Sequence, residues 1–141
     1  METVTIERSM NGTNDIVRLL AIDRARKSPT ASASASAAPR AGSLALWRAR
    51  ERTIVISTVE VDVKYRRRGI GTALMLEAEA YGREVYGPGF AMTLSVNKWN
   101  TKARAMYEKL GYENVPVTTI GECVKDPLRL VQRRMSRRVN G

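Results

Sequence analysis

Between Tyr65 and Leu74 the chain reads YRRRGIGTAL: three adjacent arginines, two glycines one residue apart, and then the apolar spacing of a helix. Residues of these types in this order can hold an anion. Gly69 and Gly71 allow close backbone approach and backbone angles that side chains resist. The first amides of the following helix have no intrahelical acceptor, and the helix dipole adds partial positive charge at the same place. Arg66, Arg67 and Arg68 contribute full charges, so a diphosphate fits the turn. Two better-known phosphate loops do not match. Leu74 stands where the third glycine of a dinucleotide-binding loop belongs, and no Gly-Lys-Ser/Thr is present. Taken alone, the stretch also reads as a solvated charged loop whose glycines serve only the geometry of a strand-to-helix turn.

Composition narrows the chemistry. There is no histidine, which removes the commonest general base. Cys123 is the only cysteine, so no internal disulfide forms, and a lone thiol without histidine provides no structural zinc site; no metal is expected. Lys and Arg number 24 against 14 Asp and Glu, and the net charge of +10 concentrates anionic partners such as a nucleotide cofactor, a nucleic acid or an acidic protein. At 141 residues, 43% of them hydrophobic, the chain can bury one core and not two. No apolar run reaches the length of a membrane span. The opening METVTIERSM lacks the basic start and apolar centre of a signal peptide. The expectation is a soluble, cytoplasmic, basic protein with no membrane contact.

These residues need elements to position them. TIVISTVEVDV, residues 53–63, is rich in β-branched side chains and reads as a strand running into the turn. From Ile70, apolar residues recur at Leu74, Ala78, Tyr81 and Val85, the spacing of an amphipathic helix that Gly87, Pro88 and Gly89 end. AMTLSV follows as a short strand. A second helix is expected from Thr101 to Leu110, with Asn100 at its N-cap and Gly111 at C′. VPVTTI and LRLVQRRM are two further strands. Upstream, VTIE reads as a strand, NDIVRLLAIDRARK as a helix on the spacing of Ile16, Leu19 and Leu20, and SLALWRAR as a strand. SPTASASASAAPRAGS, residues 28–43, has no large apolar residue and is a flexible linker or an extended arm. The order from Thr53 onward places the chain in the α/β (α+β) class: one domain, with a central mixed sheet flanked by helices. Residues 1–27 form its first strand and helix, 28–43 the linker, and 44–141 the core.

A second stretch decides between the two readings of the turn. NKWNTKARAMYEKLGYENV, residues 97–115, places Asn100, Ala103, Tyr107, Lys109, Gly111 and Tyr112 in a fixed pattern. Together with Arg66, Gly69 and Gly71 it resembles the GNAT superfamily of acetyl-CoA-dependent N-acetyltransferases, well over residues 55–115 and loosely beyond. The resemblance implies a single GNAT-like domain with a shortened N-terminal half, acetyl-CoA as co-substrate, and transfer of acetyl to a primary amine. It also implies roles. Val59 and Val61 would pair by backbone with the pantetheine arm, a backbone N–H beside Glu60 would steady the oxyanion, and Arg66, Arg67, Arg68, Gly69, Ile70, Gly71 and Thr72 would hold the pyrophosphate. Asn100 would contact pantetheine, and its side chain also suits a helix cap. Tyr107 would protonate the departing thiolate, while its helical spacing with Ala103 and Leu110 equally suits a core tyrosine.

A general base is less clear. Some members of the superfamily, including N-terminal acetyltransferases of ribosomal proteins, carry a glutamate where this chain has Ser95, so that role is not carried over. Glu60 is the remaining candidate, and an ordinary strand-face charge is the other reading. A water relay or an already neutral amine would need no side-chain base. Val63 replaces a frequent proline, and the Ala-Ser stretch stands where a substrate-lining helix is expected. The acceptor half therefore looks reduced, which leaves room for a non-catalytic GNAT-fold structural or interaction subunit with a protein partner at residues 28–43. The basic run Lys125, Arg129, Arg133, Arg134, Arg137 and Arg138, against one Asp126, suits an RNA or ribosome contact or a solvated edge strand blunted by charge. A nucleic-acid-binding module lacks a recognition helix or a stacking platform and ranks last.

Overall fold

β4, Thr53–Val61, lies in the middle of a seven-stranded sheet ordered β1-β2-β3-β4-β5-β7-β6. The computed structural model describes residues 4–10, 16–23, 39–115 and 132–140. The other strands are β1 (Val4–Met10), β2 (Val17–Asp23), β3 (Arg40–Ala49), β5 (Phe90–Asn97), β6 (Glu113–Val115) and β7 (Gln132–Val139). β4 and β5 pair in parallel; every other neighbouring pair is antiparallel. A parallel pair needs a crossover, supplied by α1, Ile70–Tyr86. α2, Thr101–Lys109, crosses from β5 toward β6. Both helices lie on one face: the α1 face buries Phe90 beneath Gly82, and the Tyr112 hydroxyl just beyond α2 meets the Met92 sulfur on that same face at 3.6 Å.

The mixed sheet with two helices is the expected class. Three local expectations are corrected. Residues 17–23 are a strand and not part of a helix over 14–27. Leu19 satisfies both periods, but Val17, Leu19, Ala21 and Asp23 alternate inward and bury against β1 and β3 neighbours on either side. β3 begins at Arg40, inside the stretch read as a linker, because Gly42 and Ser43 pair with Val61 and Glu60. β7 is not an edge strand, since β6 pairs along its outer side through Glu113↔Ser136 and Val115↔Arg134. Residues 28–38, the rest of that linker, together with Cys123, Lys125, Asp126, Arg129 and most of VPVTTI, lie outside the described residues.

The core sits between α1 and the sheet. Leu19, Leu46, Ile54, Phe90 and Met92 are fully shielded, as are Leu74 and Ala78 of α1. Each such large side chain adds roughly 1.5–3 kcal/mol of transfer free energy on burial. Ion pairs bind the outer surface of α1 to the sheet. Arg8 of β1 bonds Glu77 at 2.9 Å and Glu84 at 2.5 Å, and the buried Glu79 carboxylate takes Arg83 at 3.0 Å and Arg137 of β7 at 2.8 Å. At the far end Arg52 donates to the carbonyls of Tyr86, Pro88 and Gly89, closing the C-terminus of α1.

Gly82 is where α1 comes closest to the sheet. A Cβ there would overlap the Phe90 ring, with Cζ at 2.6 Å. Gly82→Ala is expected to destabilise the fold by about 1–3 kcal/mol through overpacking, read as a lower urea midpoint at an unchanged slope.

Candidate active site

The parallel ladder between β4 and β5 runs from Thr53↔Ala91 to Ile56↔Leu94 and stops. The reason lies on the other side of β4. Ala45 and Leu46 are consecutive on β3, yet they pair with Thr58 and Ile56, so Ser57 is an extra residue, a β-bulge. Beyond it β4 stays with β3 through Glu60↔Ser43 and Val61↔Gly42, while β5 stays with β7 through Asn97↔Gln132. The two strands part and leave a gap between edges without a shared ladder. The bulge also changes which side chains face α1. Ile54 and Ile56 hold that face before it, and Val59 and Val61 take it afterwards, which turns Glu60 to the opposite face.

At the gap lies a cavity of about 1020 Å³. Its walls include Val59, Glu60 and Val61 of β4, Arg66, Arg67, Gly69, Ile70, Gly71 and Thr72 of the turn and first helical residues, and Asn100 and Tyr107 of the second stretch. Val59 and Tyr107, 48 positions apart in sequence, thus share one cavity because β4 enters α1 at the place where β4 and β5 diverge. Arg68 does not line it; its guanidinium lies over the Tyr65 ring at 5.3 Å. Arg40 of β3 and Lys102 of α2 do line it and were not singled out in the sequence. Arg40 arrives by strand pairing across a long separation, and nothing local marks it. Lys102, two residues after Asn100, could have been found from its place in the first turn of α2.

The turn is held in an anion-ready shape by its backbone. Arg67 has φ 65° and Gly69 φ 77°. The first α1 bond runs from the Ala73 amide to the Gly69 carbonyl, so the amides of Ile70, Gly71 and Thr72 have no intrahelical acceptor. Gly71 serves a different need: a Cβ there would stand 3.1 Å from the Met106 sulfur, so its absence lets α1 and α2 approach. Arg40, Arg66, Arg67 and Lys102 face only Glu60 and Asp62 among the ionisable cavity residues besides the tyrosines, and Asp62 accepts the Lys64 amide at 3.0 Å. The cavity is therefore a positive one, suited to a phosphate-bearing ligand.

Asn100 uses its side-chain oxygen as the cap of α2, accepting the Ala103 amide at 3.2 Å, and lines the cavity as well. Tyr107 is buried, 7% exposed, with its ring 6.1 Å from that of Tyr112. Burial pushes its hydroxyl pKa upward, and among the described residues that hydroxyl makes no hydrogen bond. Tyr112, deeper in the core, is raised further by the same cause. Glu60 is exposed, on the opposite face of the sheet from the helices.

Residues 20–112 match the model of the acetyltransferase (GNAT) family. The chain belongs to the GNAT family of acetyltransferases, N-acetyltransferase enzymes. No curated protein matches it in sequence. Solved structures carry the same fold. A Bacillus subtilis acetyltransferase in complex with CoA superposes with a TM-score of 0.67 at 12% identity, over 96% of this chain and 99% of that one. Arabidopsis thaliana NAA60 with a bisubstrate analogue gives 0.63 at 19% identity, over 89% and 77%. The ribosomal-protein-S18-alanine N-acetyltransferase of Escherichia coli gives 0.60 at 15%, over 90% and 71%. At such identities the likeness concerns the fold.

Within this GNAT fold, Arg67 is the strained position of the anion turn. A left-handed angle costs a residue with a Cβ about 1–2 kcal/mol, and glycine takes it without that cost. Arg67→Gly is expected to raise stability by about 1 kcal/mol in urea unfolding, although it removes a cavity charge.

Proposed function

We propose that the protein transfers an acetyl group from acetyl-CoA to a primary amine, whether a protein N-terminus, a lysine or a small-molecule amine. The observation that carries this reading is Tyr107: a buried, cavity-lining phenol whose hydroxyl has no partner among the described residues. Its ring is buried while the hydroxyl is not among the buried unpartnered atoms, so it is open to the cavity and free to donate to a ligand there. The residues present also fit the co-substrate. Arg66, Arg67 and the amides of Ile70, Gly71 and Thr72 would hold its diphosphate, as the open first turn of α1 and the left-handed angles at Arg67 and Gly69 allow. Val59 and Val61, on the diverging edge of β4, would hold the pantetheine arm by backbone pairing, with the Asn100 amide on the other side.

Acetyl-CoA would supply an acetyl group activated as a thioester, with a thiolate leaving group that needs a proton. Tyr107 Oη holds that proton. Its raised pKa keeps the phenol neutral through the working range of pH, as a donor requires. Glu60 faces the side of the gap away from the helices, where an amine would approach, and its carboxylate would draw in an ammonium or accept its proton through water. The main contribution asked of the chain is positioning of the two reactants. The proposal extends to a cytoplasmic location and leaves the acceptor as a class.

Two measurements test the reading. In calorimetric titration, acetyl-CoA should bind the wild type, and Gly71→Trp, which fills the gap between α1 and α2, should abolish binding. A folded wild type that gives no binding heat would leave a GNAT scaffold acting as an interaction subunit. In turnover, Tyr107→Phe should lower kcat by about a hundredfold. Because burial raises the Tyr107 pKa above its usual 10.0, any loss of kcat from its ionisation should be centred above pH 10 and not near neutrality. An alkaline limb centred below pH 9 that disappears in Tyr107→Phe would contradict this assignment.

A further inference from the structure

The anion turn must keep a strained angle at Arg67. One buried contact stands out beneath it. The Tyr65 hydroxyl, in the short 3-10 turn over Val63–Tyr65, donates to Asp23 Oδ2 at 2.8 Å. Both residues are buried, Tyr65 at 4% and Asp23 at 6% exposure. Asp23 is the last residue of β2, and its own amide is bound to the Pro39 carbonyl at 3.0 Å just before β3. From the other direction Arg68 stacks over the Tyr65 ring, and the Asp62 amide reaches the Ala41 carbonyl at 2.8 Å.

We propose that Asp23 and Tyr65 form a clamp by which the N-terminal half of the sheet sets the shape of the anion turn, making them positioning residues for the diphosphate. A buried carboxylate is costly unless a donor satisfies it. The pair is therefore discriminating: a displaced turn would take from Asp23 one of its partners, the directional Tyr65 hydroxyl, so turn conformations other than the anion-ready one are disfavoured. The packing of the Tyr65 ring alone could not do this, because a ring can slide along an apolar wall while a hydrogen bond to a charged oxygen fixes both distance and direction. The residues so fixed begin with the next one, Arg66, whose Nε bonds the Val61 carbonyl at 3.3 Å, and include Arg67 at its left-handed angle.

This rests on the reading of the cavity as a CoA site, and the test separates the two. CoA is titrated calorimetrically into wild type, Tyr65→Phe and Asp23→Asn, with thermal melts alongside. In parallel, trypsin cleavage is followed at Lys64, Arg66, Arg67 and Arg68 without CoA. Tyr65→Phe keeps the ring and removes only the hydroxyl. It should weaken CoA by about tenfold, the scale of one hydrogen bond to a charged group, and speed cleavage of the turn. Asp23→Asn keeps an acceptor and should stay much closer to wild type in both. A Tyr65→Phe variant that binds CoA and resists trypsin as the wild type does would overturn the clamp. So would one whose cleavage rises equally throughout the chain as its melting temperature falls. Failure of the wild type itself to bind CoA would instead sink the cavity reading, while the trypsin comparison would still decide whether the pair holds the turn.

Discussion

The bulge at Ser57 is the constraint on which the site depends. Without it β4 would continue beside β5 with every ladder bond made, and the sheet would close. With it the ladder ends at Ile56↔Leu94, and two backbone edges that would otherwise pair with each other open toward a ligand. The parallel pairing before the bulge matters equally. It requires a crossover helix, and that helix must begin at the end of β4, beside the gap. The anion-binding start of α1 and the strand edges are therefore adjacent by topology, before any particular side chain is chosen.

Charge is distributed to match. On the helix side the carboxylates are engaged: Glu77 and Glu84 hold Arg8, and Glu79 holds Arg83 and Arg137. Around the cavity Arg40, Arg66, Arg67 and Lys102 take part in no ion pair among the described residues. The excess of cations counted in the sequence thus becomes a local field at the mouth of the gap, where low-dielectric walls concentrate it. Exposed cations of this kind add little to stability, since surface pairs contribute at most about 1 kcal/mol. They act on the encounter with an anionic ligand and on its retention.

What could be read from the residues follows the range of the physics involved. The anion turn and the cap of α2 were legible because both depend on neighbours a few positions away: glycines beside a helix start, and Asn100 three residues before the Ala103 amide. β2 was not, because Leu19 fits a helical and a strand period at once and only pairing with β1 and β3 chooses between them. The bulge left no mark either. Residues 53–61 form one β-branched stretch without glycine, and the extra residue exists only relative to β3. Arg40 was missed for the same reason, since a partner strand brings it to the cavity. Arg68 adjoins the cavity residues in sequence, but its guanidinium lies over the Tyr65 ring instead.

The two groups proposed to move protons stand in unlike surroundings, and that difference says where the catalytic design lies. Tyr107 is enclosed, its phenol kept neutral by burial and fixed on a helix against Tyr112. Glu60 is open to water on a strand beyond a bulge. A solvated carboxylate attracts an ammonium more readily than it takes its proton, because an amine holds that proton far more tightly. On the proposed reading the chain thus controls departure of the thiol by a preorganised donor and leaves deprotonation of the amine largely to solvent. Rate would then follow the fraction of acceptor already neutral when it reaches the gap. An arrangement of that kind asks little of the acceptor wall beyond orientation, and it accounts for a site in which neither a histidine nor a buried carboxylate lines the cavity.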